Sequence, residues 1–341
     1  MKLTNVLLAF TMTAIFSVPG RTESANIIKV GVSPVLSSAA IFIAEKKGYF
    51  KKAGLNVELM TFDSSGAAMT PLLGKNELDV GAGNISSGLI NAIVEGVNIK
   101  IVADKGHSPE GPGYMALLVN SEHLKTGRYK TLRDLKGFKV GLTSLGGVSQ
   151  QILFEKFLAK AGLKVTDVEY LKMSYPEMNV ALDKKELDAA IQLEPFVAQA
   201  VKRNLAKKVA EASEVYAGQQ SGVLIYSAAF AARKTEATAF MSAYLKGVRD
   251  YNDAFVAKAP KGRSEITDLL NDRMKLEPPD LWNDVGAVGL NPDGHLNLAL
   301  LQEDLAWYLE KKYIKSIPAI SRFIDGSFAE NAFHALEKKT E

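Results

Sequence analysis

The chain carries one pattern twice. Lys29-Val30-Gly31-Val32-Ser33 returns as Lys139-Val140-Gly141-Leu142-Thr143, a shift of 139 − 29 = 110. Lys52-Ala53-Gly54-Leu55 returns as Lys160-Ala161-Gly162-Leu163, a shift of 160 − 52 = 108. Lys75-Asn76-Glu77-Leu78-Asp79 returns as Lys184-Lys185-Glu186-Leu187-Asp188, with Glu77 to Glu186 a shift of 109. Three matches in one order, at nearly one offset, mark a duplicated unit. Solenoid repeats have periods of roughly 20–50 residues, so a unit of this length is a whole small lobe. Two such lobes must meet, and clefts between domains are favoured places for small ligands.

The hydrophobic pattern inside each copy predicts an α/β lobe. In the first copy, Ile28–Val32, Val57–Phe62, Leu78–Ala82 and Ile99–Ala103 read as strands. Ser37–Lys47, Ser65–Leu73 and Ser86–Glu95 read as the helices between them. Strands separated by helices of about ten residues imply right-handed crossovers and a mainly parallel sheet with helices on both faces. The second copy repeats the order with strands at Lys139–Leu142, Val168–Met173 and Leu187–Ile191 and helices at Val148–Ala161, Pro176–Leu182 and Pro195–Asn204. Gly111-Pro112-Gly113 and Gly218-Gln219-Gln220-Ser221-Gly222 break the pattern. The strand Met115–Val119 leaves the first lobe there, and Val223–Ser227 returns to it. The expectation is a first lobe of residues 27–115 plus 222–341, a second of 116–221, and two hinge crossings. Beyond Val223 the chain is mostly helical, and Trp282 and Trp307 in this tail are expected to pack rather than bind.

Composition narrows the partners. With 41 Lys and Arg against 38 Asp and Glu, the net charge is +3, too small to argue for nucleic acid. There is no cysteine, which excludes disulfides, thiolate metal sites and Cys nucleophiles. Lys2, the apolar run Val6–Val18 and the small residues Gly20, Ser24 and Ala25 read as a secretory signal over residues 1–25. An uncleaved membrane anchor is the alternative. Cleavage would remove Lys2, Arg21 and Glu23, leaving +3 − 2 + 1 = +2. A soluble, exported, monomeric protein is the expectation.

In parallel α/β sheets ligands bind beyond the carboxyl ends of the strands. There the next helix presents free N–H groups and the positive end of its dipole. Ser37 and Ser38 follow the first strand, and Gly146, Gly147 and Gln150 follow its repeat. Asn84, Ser86 and Ser87 follow the Glu-Leu-Asp strand, and Glu194 and Phe196 follow its repeat. These ten residues are the candidate ligand contacts. The serines also suit helix capping, the glycines a tight turn, and Glu194 a helix start. Lys105, after the fourth strand, could meet an acidic ligand, but solvation is its commoner fate. Tyr114, Tyr175 and Phe196 are candidate apolar walls.

Chemistry beyond binding has little support. Gly81-Ala82-Gly83 followed by Asp104, 104 − 83 = 21 residues on, is a partial dinucleotide fingerprint. Its third glycine position holds Ser86, and the second copy has no glycines there. A nicotinamide oxidoreductase is thus a weak alternative. The four histidines show no metal spacing, and nucleophile-elbow, phosphate-loop and zinc-protease motifs are missing. No enzyme activity, metal or cofactor is expected.

Longer runs resemble a known family. Ala44-Glu45-Lys46-Lys47-Gly48-Tyr49-Phe50-Lys51-Lys52-Ala53-Gly54-Leu55-Asn56-Val57, Leu73-Gly74-Lys75-Asn76-Glu77-Leu78-Asp79-Val80-Gly81, Leu132-Arg133-Asp134-Leu135-Lys136-Gly137-Phe138-Lys139-Val140-Gly141 and Glu194-Pro195-Phe196 are similar to substrate-binding proteins of nitrate/sulfonate/taurine-type ABC transporters. The resemblance covers roughly residues 28–255. It implies a two-lobe type II periplasmic binding protein fold, closure on a small molecule, and delivery to an ABC permease in the membrane. A sensory module that reports to a receptor would use the same closed form. The related thiamine-pyrimidine synthases use a cysteine-rich motif that this chain lacks. The four candidate loops contain no Arg, so a small polar or weakly anionic ligand is expected.

Overall fold

The computed structural model describes residues 27–62, 68–111, 113–257 and 260–338. The expected signal segment and the start of the helix expected at Ser65 lie outside them. The ten strands are β1 Ile27–Val32, β2 Asn56–Thr61, β3 Val80–Asn84, β4 Ile99–His107, β5 Met115–Asn120, β6 Lys139–Leu142, β7 Glu169–Lys172, β8 Ala189–Leu193, β9 Ala206–Glu211 and β10 Gln220–Ser227. They form two five-stranded sheets, β2-β1-β3-β10-β4 and β7-β6-β8-β5-β9. The orders match position for position. In each sheet four strands share a direction, and the strand arriving from the other sheet runs against them: β10 in the first, β5 in the second. The chain thus crosses between sheets twice, after β4 and before β10.

The repeated residues build one joint twice. Asp79 Oδ2 accepts the Lys29 N–H at 2.9 Å, and Asp188 Oδ2 accepts the Lys139 N–H at 2.8 Å. The aspartate N–H groups return bonds to the Lys29 and Lys139 carbonyls, each at 3.0 Å. A methyl group on Gly31 would lie 2.9 Å from Leu78 Cδ2, and one on Gly141 would lie 2.8 Å from Leu187 Cδ2. The leucine therefore fills the space that the glycine leaves, and real Cβ contacts are not that short. These residues recur because they lock β1 to β3 and β6 to β8.

The helices that position the site are α1 Ala39–Lys46, α2 Ser87–Val94, α3 Ser149–Ala161, α4 Tyr175–Asp183, α5 Phe196–Lys202, α6 Lys234–Phe255 and α7 Leu298–Glu310. Residues Ala39 to Ala44 of α1 are all buried, because α6 covers the side turned from the sheet. Around β10, Tyr226 meets Phe230, Phe240 and Phe328 edge-on at centroid distances of 4.9, 6.1 and 5.2 Å. Each such pair adds about 0.5–1.5 kcal/mol beyond area burial, and the cluster ties the returning strand to the C-terminal helices.

The tail also bonds to the second lobe. Lys202 of α5 pairs with Asp280 at 3.0 Å. Tyr216 donates to Asp304 of α7 at 2.8 Å, and Lys311 pairs with Glu155 of α3 at 3.0 Å. Lys207 and Lys208 lie in β9, at the edge of the second sheet. This edge strand carries its lysines outward, a common device against edge-to-edge pairing.

Candidate functional site

Beyond the carboxyl ends of β1, β3, β4, β6 and β8 the two lobes enclose a cavity. About 30 Å³ of it is open to the centre of a water-sized sphere. That is two to three times the ~10–15 Å³ needed for one water, room for a small molecule. The lobes bond across its rim. The Ser87 N–H donates to the Gly147 carbonyl at 2.9 Å, and the Ser87 hydroxyl donates to the Gly146 carbonyl. Ser86 and Val148 form an antiparallel bridge. On the other side the Leu36 N–H donates to the Glu194 carbonyl at 3.3 Å. The arrangement is a closed cleft.

Four of the ten candidates line the cavity: Ser37, Asn84, Ser86 and Gln150. Two of these are also committed elsewhere. The Ser86 hydroxyl caps α2 by accepting the Leu89 N–H at 3.2 Å. The Gln150 carboxamide donates to the Ile191 carbonyl at 2.9 Å and accepts both the N–H and the hydroxyl of Thr143. It thus braces the loop after β6 against β8. Ser87, Gly146 and Gly147 form the lobe seam outside the lining. A Cβ on Gly147 would lie 2.7 Å from Ser87 Cβ, and its φ of +99° disfavours a side chain as well. Ser38 is fully buried behind the wall.

Glu194 and Phe196 take other places. Glu194 Oε1 accepts the Gly286 N–H at 3.0 Å, and Oε2 accepts the Ala198 N–H at 3.0 Å. One carboxylate therefore caps α5 and grips the tail. Burial pushes its pKa up to about 7, against the pull of those two N–H donors. Phe196 stacks behind Tyr175 at 5.8 Å, and Tyr175 faces the cavity.

The largest departure from the sequence reading is Lys105. It is 1 % exposed and lines the cavity. Among the described residues it is the one charged side chain there. Its Nζ donates to the Ala82 carbonyl at 3.3 Å. Burial lowers its pKa to about 7, with the charge of Asp104 opposing. Asp104 offers no free oxygen: Oδ1 accepts Gly106 N–H at 2.8 Å and Gln220 Nε2 at 2.7 Å, while Oδ2 bonds His107 Nδ1 at 3.0 Å and Asn291 N–H at 2.8 Å. An aspartate so occupied does not reach a ribose. Gly83 packs under Ile225, with a Cβ there 3.2 Å from Ile225 Cδ1, so both parts of the partial dinucleotide motif are structural.

One tyrosine and one serine complete the hinge side. Tyr114 and Ser221, one from each crossing, share a hydrogen bond between their hydroxyls. Ser221 donates to the Gly106 carbonyl at 3.0 Å, which places both crossings against the end of β4. No helix among the described residues is long and apolar enough to cross a membrane.

Fold and cleft together define a two-lobe protein of the type II periplasmic binding fold. The chain belongs to the NMT1-like family, which matches residues 21–259. A Brucella abortus protein named as a binding protein is 30% identical over 164 residues, 48% of this chain and 46% of that protein. The match thus spans about half the length of that relative. The periplasmic nitrate-binding protein NrtA of Synechocystis superposes with a TM-score of 0.76 at 15% identity, covering 92% of this chain and 90% of that one. The ligand-binding component of an ABC-type import system from Staphylococcus aureus gives 0.73 at 20% identity, covering 90% and 98%. The fold also carries enzymes: the desulfurization enzyme DszB gives 0.62 at 13% identity, covering 91% and 99%.

Proposed function

We propose that this protein is an exported solute-binding protein. It captures a small polar or weakly anionic organic molecule between its lobes and delivers it, as a single chain, to an ABC permease. The supporting observation is the enclosed cavity, sealed by backbone bonds between lobes that two hinge crossings connect. Its candidate contacts are Ser37, Asn84, Ser86 and Gln150, with Tyr114 and Tyr175 as walls and Lys105 as the cation. Ser87, Gly146, Gly147 and Glu194 act on closure instead. In this reading the arrangement binds without chemistry, and Lys105 serves as the cation for the ligand rather than as a base or nucleophile.

Native mass spectrometry of the purified chain, followed by release and analysis of what it carries, tests this. The expected result is one small molecule, released and rebound unchanged in calorimetry. Conversion of that molecule to a product during incubation contradicts the reading.

A further inference from the structure

The two walls of the cleft differ in charge, and the difference specifies a ligand. Lys105 is held deliberately in place. Its stem runs over Gly222, where a Cβ would lie 3.2 Å from Lys105 Cε and 3.2 Å from the Gly106 nitrogen. A side chain at 222 would press on that stem and on the β4 backbone. Inside, the ammonium has three N–H donors and one bond, to Ala82. A buried ammonium without a counter-ion costs several kcal/mol, and the carboxylate nearest in sequence is filled by four other donors. The starts of α2 and α3 also border the cavity through Ser86 and Ser149, and their dipoles favour negative charge.

Among the described residues the lining holds no acidic partner for a positive charge: no Asp or Glu faces the cavity, and both Glu194 oxygens are bonded to backbone. The second lobe contributes no charge: beside polar Thr143, Ser149 and Gln150 it presents Val148, Tyr175 and Leu193, an apolar strip with one phenol.

Resting on the solute-binding reading above, we propose that the cleft selects a small organic monoanion that carries no cationic group. Its acidic head meets Lys105 on the first lobe, and its apolar body lies against Tyr175, Val148 and Leu193 on the second. One ammonium balances one negative charge. A dianion leaves a charge unpaired, and a zwitterion buries an ammonium with no acceptor. The ionisable groups around Lys105 are Asp104 and His107 on its own strand, and Tyr114 and Tyr244, whose phenols burial holds neutral. Because Lys105 titrates near 7, an anion that fixes its proton draws one from solvent on binding.

A matched series of four-carbon probes tests this on the full chain by calorimetry: butyrate, butyramide, 4-aminobutyrate and succinate, with propane-1-sulfonate as the second monoanion. Butyrate or propane-1-sulfonate binds at least tenfold tighter than each of the other three, and which of the two is tighter separates carboxylate from sulfonate ligands. At pH 8, buffers of different ionisation enthalpy show proton uptake with that monoanion. Lys105→Met removes the preference and the proton uptake, with its melting temperature measured alongside. Equal or tighter binding of butyramide, 4-aminobutyrate or succinate overturns the proposal, independently of any variant. So does an unchanged preference in Lys105→Met, or failure of both monoanions to bind. None of these outcomes touches the solute-binding reading, which falls only if a bound molecule is turned over.

Discussion

Asn84 ends β3 in the first lobe, and Glu194 directly follows β8 at the equivalent place in the second. Asn84 lines the cavity, whereas Glu194 spends both oxygens on Gly286 and Ala198. The same contrast recurs at the edge strands. β4 brings Lys105 to the cavity, and its counterpart β9 brings no residue there. The first lobe therefore supplies the one charge. The second supplies no charge, an apolar strip of Val148, Tyr175 and Leu193, and the glycines and glutamate on which the closed cleft is held. Duplication preserved the joint between Gly31 and Leu78, and between Gly141 and Leu187, while the loops beyond it diverged in task.

That division predicts different kinds of damage. Gly147→Val has the largest effect, because a side chain there strikes Ser87 and keeps the seam apart. Butyrate affinity is expected to fall by about a hundredfold or more, roughly 2.7 kcal/mol, with the secondary structure by circular dichroism retained. Wild-type affinity in this variant would remove the seam from the account. Tyr175→Ala comes next, with about a tenfold loss, since an exposed apolar body forfeits ~1.4 kcal/mol. The loss should be equal for butyrate and propane-1-sulfonate. A loss confined to one of them would mean that the second lobe also reads the head group.

Glu194→Gln changes the slope of stability with pH. The Glu194 pKa is raised from 4.5 to about 7 by burial, so the folded form holds more protons than the unfolded form between those values. Its contribution is complete below pH 4.5 and is lost as pH rises through about 7. The charges of Lys208, which lowers that pKa, and Glu211, which raises it, also act on this carboxylate. The substitution should flatten the fall in melting temperature over that window by at most one proton, ~1.4 kcal/mol per pH unit. Asp304, raised to about 7 in the same way, leaves a residual slope. An identical slope in Glu194→Gln would place that proton elsewhere. Gln150→Ala has the smallest effect, ~1 kcal/mol of stability from lost buried hydrogen bonds. It should leave the preference for a monoanion intact, and a changed preference would make Gln150, and not Lys105 alone, a reader of the ligand's charge.

Much of this frame was legible before any coordinates. The repeat named the residues that form the joint, and it put Ser37, Asn84, Ser86 and Gln150 beyond strand ends, where the cavity lies. Local sequence could not reveal Lys105, because its burial depends on Gly222, far along the chain on an antiparallel neighbour. Glu194 reads as a helix-start residue, which it is, but its second bond needs Gly286 from the tail. β9 has no strong alternation and is recognisable only once β5 lies beside it. Each miss involves a partner distant in sequence.

The central claim is that the lobes close on an anion held by Lys105. The chain has no cysteine, so a pair introduced at Leu145 of the second lobe and Glu95 after α2, both exposed, can carry spin labels without background. Pulsed electron resonance then reads the separation across the cleft with and without butyrate. The account predicts a shorter, narrower distance with butyrate in the labelled protein and no change when Lys105→Met is added. Butyrate binding with an unchanged distance, or the same shortening in Lys105→Met, would contradict it.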